Sequence, residues 1–147
     1  MKIKNRKASF NYEILETLEA GVVLTGSEVK SLRDNRGNLS GAFVKKIGSE
    51  YWVVNMEIPR YRYDGDINYD TNRTRKLLLR KKEIVRLESK MKQGNLTLIP
   101  LRVYLKGNLV KVEIALARGK KRYEKKMAEK EKDLKRELER EKRKYMI

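Results

Sequence analysis

Apolar and polar residues alternate through Phe10, Tyr12 and Ile14 and again at Val22 and Leu24. That period of two is the signature of half-buried strands. Glu19-Ala20-Gly21 falls between them and reads as a turn or bulge, where Gly accepts backbone angles that other residues resist. Ser27 reads as the N-cap of a short helix through Arg33, with Val29, Leu32 and Leu39 facing inward and Asn35-Arg36-Gly37 closing it. Residues 42–47 and 51–56 predict two strands joined by a tight Gly48-Ser49 turn, with Pro59 ending the second. Residues 59–72 form a polar loop of a length that is uncommon unless functional. The run 73–80 then fuses basic Arg73-Thr74-Arg75-Lys76 to apolar Leu77-Leu78-Leu79. Ile84, Leu87, Glu88 and Met91 follow at helical spacing, and Gly94-Asn95 closes that helix. Residues 96–105 and 109–117 predict two long strands around a turn at Lys106-Gly107-Asn108. Together these elements predict a mainly β body, residues 1–117. It is a closed or nearly closed antiparallel barrel of about six strands with short flanking helices.

The pattern changes at residue 118. Residues 118–147 carry 14 Lys and Arg against 7 Asp and Glu and contain no Pro. Tyr123, Met127, Leu134, Leu138 and Tyr145 are spaced close to the helical period, and Glu131/Lys135 and Glu139/Arg143 are pairs four residues apart in the favourable order. So little apolar surface does not offset the entropy of ordering, so this tail is expected to be disordered alone and helical on a polyanion. At the other end, residues 1–8 read by composition as a solvated basic arm.

Charge narrows the partner. The chain of 147 residues has a formal net charge of +17, and removing the tail still leaves 23 basic against 13 acidic residues. A basic excess in both parts makes nucleic acid the first expectation and an anionic membrane the second. Cys and His are both absent, which removes disulfides, thiolate and imidazole metal sites, the Cys nucleophile and the commonest general base. No apolar run approaches the length of a membrane span. No cofactor, metal, membrane or small-molecule substrate is expected, and a reducing cytoplasm suits the composition.

Candidate chemistry is sparse. The acidic stretch Asp64 to Asp70 fails the EF-hand pattern, with Tyr69 at the position that needs Gly and Arg75 where the bidentate Glu belongs, so it reads as a solvated loop. There is no phosphate-binding Gly-rich loop with Lys-Ser/Thr, no Gly-x-Ser-x-Gly elbow and no clustered carboxylate trio elsewhere for a nuclease. Basic residues interleaved with aromatic ones fit better, because Lys and Arg neutralise phosphate while Tyr stacks on unpaired bases. Tyr61, Tyr63 and Tyr123 lie in polar, basic contexts and are stacking candidates; Tyr12, Tyr51, Trp52 and Tyr104 sit in strands and read as core. Composition alone thus reaches a barrel-type RNA binder, with a general RNA-binding or ribosomal protein as an open alternative.

Longer strings are more specific. Asn5-Arg6-Lys7-Ala8, the run from Glu19 through Arg33, Arg73-Thr74-Arg75-Lys76-Leu77-Leu78-Leu79, Pro100-Leu101 with Tyr104, and Lys111-Val112-Glu113 leading to Ala117-Arg118-Gly119-Lys120-Lys121 occur in this order. In these strings the chain closely resembles the SsrA-binding protein (small protein B) family over nearly its whole length. The resemblance implies an oligonucleotide-binding-type barrel without enzymatic activity. It implies binding to the tRNA-like part of tmRNA and delivery to stalled bacterial ribosomes for trans-translation. By motif it places RNA contacts at Asn5, Arg6, Lys7, Glu19, Arg73, Arg75, Lys76 and Leu78. It places tail contacts at Gly119, Lys120, Lys121 and Tyr123, with the tail folding as a helix in the message channel and Tyr123 near the decoding centre of the small subunit.

Overall fold

The computed structural model describes residues 1–120 and 122–145; the side chains of residues 122–124, 128, 144 and 145 lie outside the description. Seven strands and four helices follow one another as β1 (Lys2–Lys4), α1 (Ala8–Asn11), β2 (Tyr12–Val22), α2 (Gly26–Arg33), β3 (Phe43–Ile47), β4 (Glu50–Val54), β5 (Arg75–Leu78), α3 (Lys81–Met91), β6 (Leu96–Lys106), β7 (Leu109–Gly119) and α4 (Arg122–Tyr145). All pairings are antiparallel. Strands β6, β3, β4, β5, β2 and β7 form a ring that closes through β6–β7, and β1 shares the outer edge of β6 with β3. Closure leaves the ring without an exposed edge.

Several predicted boundaries move, each for a local reason. The basic arm is not a free terminus: Ile3 is buried and residues 2–4 pair with 104–102 of β6, while the arm's lysines and Arg6 stay exposed. No turn interrupts residues 19–21, because β2 runs unbroken against β7 and its irregularity lies earlier, at exposed Leu15 between Ile14 and Glu16. The N-cap of α2 is Thr25 rather than Ser27. Thr25 Oγ1 accepts from the Glu28 amide at 3.3 Å and Glu28 Oε1 accepts from the Thr25 amide at 2.8 Å, a reciprocal box that needs Glu three residues on. Ser27 instead accepts from the Tyr61 amide and ties the long loop to α2. Asn35, at φ 57°, follows the α2 C-cap in the left-handed conformation that short amide side chains tolerate. The Gly48-Ser49 hairpin forms as predicted, with Ile47 opposite Glu50 and Gly48 at φ 65°.

The core follows from the alternation. One row across four strands, Ile3, Val103, Val112 and Ala20, faces inward. Leu32 of α2 and Leu87 of α3 belong to the same core, with half-buried Ile84 and Met91 packed against it. On β7, residues 114–117 are buried on both faces, Ile114 and Leu116 in the barrel and Ala115 and Ala117 under Ala8 of α1. Fully burying each of the larger of these side chains contributes roughly 1.5–3 kcal/mol. β7 runs past residue 117: Arg118 pairs with Glu13, Gly119 with Tyr12, and the Lys120 amide donates to Asn11 O at 2.9 Å. The 24 residues of α4 begin beside α1, and Met127, Leu134 and Leu138 are exposed along it.

Candidate nucleic-acid interface

The same alternation that points Ile3, Val103, Val112 and Ala20 inward points their neighbours outward. Lys4, Arg102, Glu113 and Glu19 stand in register across β1, β6, β7 and β2. Two residues along, Lys2, Tyr104, Lys111, Gly21 and Leu78 form a second outward row that ends on β5. The face is therefore basic at β1, mixed at its centre and apolar at β5. Leu78 is 53% exposed and lies over Gly21, where an added Cβ would come within 3.3 Å of the Leu78 Cβ. Glycine at this position lets the leucine sit low on the sheet while its outer surface stays free. Beside it, Val22, Leu24, Val29, Leu109 and Lys111 line a shallow cleft of about 290 Å³.

Glu19 is the one carboxylate in its row without an arginine on it. Tyr104 Oη donates to Glu19 Oε2, reaching diagonally over β7, and Lys106 Nζ donates to Oε1 at 3.2 Å. These bonds, the one from Tyr104 first, hold the Glu19 carboxyl below its usual range, helped by Lys106 and Lys111. Burial, then the Glu19 carboxylate, push the Tyr104 phenol up to about 12. Arg102 lies 5.4 Å from the Tyr104 ring centroid while its Nε donates to Glu113 at 2.7 Å. An ionised carboxylate accepts hydrogen bonds only, so on a basic surface it selects N–H and O–H donors and repels phosphate.

The predicted contacts divide. Glu19 and Leu78 are brought onto one face. Asn5 is near it but committed to the fold: its Nδ2 donates to Pro100 O at 3.0 Å and its amide to Leu101 O at 2.7 Å. Those bonds satisfy the carbonyls of a bulge in β6 between Pro100 and Arg102. Arg6 and Lys7 are exposed and line a groove with Lys2, Lys4, Asn35 and Asn38. Gly119 and Lys120 reach the same end of the barrel through Lys120 Nζ, which donates to Ser9 O at 2.8 Å. Lys121 lies outside the described residues, and Tyr123 is described only as backbone of α4.

Arg75 is a correction. It is fully buried, and its guanidinium bonds Glu28, Met56 O and Thr71 O, leaving nothing for a phosphate. Arg73 is half-buried beside it, donating to Glu28 Oε1 at 2.6 Å and to Val23 O at 3.2 Å. Burial pushes the Glu28 carboxyl up, but bonds from Arg73, the Thr25 amide and Arg75 outweigh it and leave it lowered. Lys76 faces out on β5 and pairs with Glu50 at 3.3 Å. Tyr104 was read as core and lies instead on the outward face; with Arg102, Lys106 and Lys111 it was missed, although Arg102, Tyr104 and Lys106 alternate along β6. Tyr61 and Tyr63 meet edge to face at 5.4 Å, with Lys30 5.5 Å from the Tyr61 ring.

A closed small barrel with lysines and arginines along one outward face places the chain in the class of nucleic-acid-binding barrels. The family model described as SmpB protein matches residues 2–144, so the chain belongs to the SmpB family. It is similar to the SsrA-binding protein of Sulfurihydrogenibium sp. (strain YO3AOP1), 54% identical over 92% of this chain and 89% of the relative. It is also similar to that of Persephonella marina (strain DSM 14350 / EX-H1), 51% identical over 91% and 88%. A solved structure described as "tmRNA-SmpB: a journey to the center of the bacterial ribosome" superposes with TM-score 0.69 at 43% identity, covering 86% of this chain and 93% of that one.

Proposed function

We propose that this chain binds the tRNA-like domain of tmRNA (SsrA RNA) and delivers it to stalled bacterial ribosomes, where trans-translation tags the incomplete peptide and frees the ribosome. The observation that carries the reading is the SmpB-family match over residues 2–144. The outward rows add the physical means: lysines at β1 neutralise phosphate, Glu19 accepts from base or 2′-hydroxyl donors, and Leu78 offers an apolar contact to an exposed base. The chain acts as a cytoplasmic binding factor rather than as an enzyme, with tmRNA and the small ribosomal subunit as partners. Arg6, Lys7 and Lys76 supply further cations, and Asn5 supports the arm that presents Lys2 and Lys4.

The tail, on this reading, senses an empty message channel. Met127, Leu134 and Leu138 are exposed along α4, so the isolated helix has little packing to hold it and its stability comes from docking on RNA. Gly119, Lys120 and Lys121 lead into it, and Tyr123 stacks on a decoding-centre base. Intact message occupies the same site and excludes it.

The test compares the full chain with a truncation after Lys120, which spares the pairs of Arg118 and Gly119. Affinity for tmRNA is measured against competitor tRNA over a salt series, with peptide tagging on stalled ribosomes in parallel. Retained selective binding with lost tagging supports the division of labour. Equal affinity of the full chain for tRNA, tmRNA and an unstructured strand would overturn it in favour of a general RNA binder.

A further inference from the structure

We propose that Tyr104 is a positioning residue that sets the specificity of the RNA-facing carboxylate, holding Glu19 aimed outward so that it reads donors rather than admitting phosphate. The proposal rests on the reading of Glu19 given above. It deepens that reading by assigning a role to a side chain that need not touch RNA.

An exposed glutamate on a strand has three rotatable bonds and, on a surface this basic, several lysines to fold down upon. Here one oxygen is taken by the Tyr104 phenol and the other by Lys106 at 3.2 Å. The two donors pin the carboxylate plane from one side and leave lone pairs for a ligand, since a carboxylate offers about four acceptor sites. Tyr104 is in turn held by Arg102, which lies 5.4 Å from its ring centroid and is anchored by Glu113. Glu113 is directly opposite both Arg102 and Glu19 in the strand register. The chain Glu113–Arg102–Tyr104–Glu19 therefore spans three strands, and each member has a stated partner.

Phenol is suited to this position. It donates one hydrogen bond without adding to the positive charge that Lys106 already brings to the carboxylate. An arginine there would neutralise Glu19 and invite phosphate. The charged and titratable groups facing Glu19 are Tyr104, Lys106 and Arg102 from β6 and Lys111 and Glu113 from β7, with Lys2 and Lys4 on β1 beyond them. Removing the phenol leaves Lys106 as the carboxylate's one hydrogen-bond partner among the described residues and lets its pKa rise, because the largest cause of the lowering is gone.

The experiment measures tmRNA affinity of the full chain and of Glu19→Gln, Tyr104→Phe and the double variant, from about pH 7 to about pH 3.5, so that the range passes below the ordinary carboxyl value. Thermal unfolding of each checks that the fold survives. Tyr104→Phe is expected to lose roughly tenfold in affinity at neutral pH, the scale of one hydrogen bond to a charged group. It should lose nothing further on the Glu19→Gln background. Its affinity should also fall with acid at a higher pH than the parent's, since Glu19 protonates sooner. Equal losses from Tyr104→Phe on both backgrounds would make the tyrosine an independent contact and overturn the proposal. So would a Tyr104→Phe variant that binds like the parent while Glu19→Gln does not. If Glu19→Gln itself binds like the parent, it is the assignment of Glu19 that fails.

Discussion

Glu28 and Glu19 are both held below the usual carboxylate range, yet the two sites serve opposite ends. Glu28 is buried, receives Arg73, Arg75 and the Thr25 amide, and has its lone pairs committed inside the protein. It ties α2 to β5, and through Arg75 to the ends of the long loop at Met56 and Thr71. Glu19 is exposed, with one hydrogen bond to each oxygen, from Tyr104 and Lys106, and acceptor capacity to spare. Saturation with arginine makes a structural joint; partial satisfaction by a phenol and an ammonium leaves acceptor sites, which is what the recognition role proposed for Glu19 requires. A perturbed carboxylate alone does not tell the two apart, whereas counting its remaining acceptor sites does.

The strongest test of the contrast is to break the buried joint. Arg75→Met removes the fully buried partner of Glu28, leaving Arg73 and the Thr25 amide on it, and takes the donors from Met56 O and Thr71 O. It is expected to destabilise by about 3 kcal/mol in denaturant unfolding, because a buried ion pair is broken and two inner carbonyls lose their hydrogen bonds. The pH dependence follows from the direction of the shift. Glu28 titrates lower in the fold than in the unfolded chain, where 4.5 is the ordinary value, so its contribution is present above that pH and is lost as pH falls through the lowered one. Glu28→Gln should therefore flatten the acid limb of the stability curve as well as lowering its plateau.

Breaking the recognition group should leave stability almost untouched and strike binding instead. Glu19→Lys adds positive charge to a basic face, yet tmRNA affinity is expected to fall about tenfold or more, with unfolding changed by less than about 0.5 kcal/mol. Tighter binding by filter retention would sink the donor-reading role. Leu78→Ala, at the apolar end of the same face, should cost roughly 1 kcal/mol of binding, read as a several-fold weaker Kd at one fixed salt concentration. The smallest effect belongs to Lys4→Ala at the basic end: a uniform weakening across RNA sequences, with the salt slope shallower by about one.

Strand alternation made most of the barrel legible, since each long strand has one face toward the core. The Ile47 to Glu50 hairpin was readable from Gly48 for the same local reason. β1 was not, because three residues are too few to show a period and their order comes from β6. The cap of α2 was read two residues late, as Ser27 and Thr25 have equivalent hydroxyls and only Glu28 at the third helical position distinguishes them. Arg75 shows how charge can mislead. Within a basic run it suggested surface, yet it alternates with Lys76 and Leu78 and shares the inward face with Leu77. Its burial is set by Glu28, 47 residues away in sequence, which no local pattern reveals. Glu19 and Leu78 came from the family resemblance, and their shared face emerges only once Gly21 pairs with both Lys111 and Leu78.

β7 is laced to β6 from Leu109 to Arg118 and to β2 from Lys111 to Gly119, and the tail follows it in the chain. That geometry has a mechanical meaning. A pull on the tail along the axis of β7 loads both ladders in shear, so many hydrogen bonds share the force at once. A pull across the sheet would peel them singly. A tail drawn lengthwise can thus tug on its barrel without unravelling it, and the barrel can serve as an anchor while its other face keeps hold of a cargo.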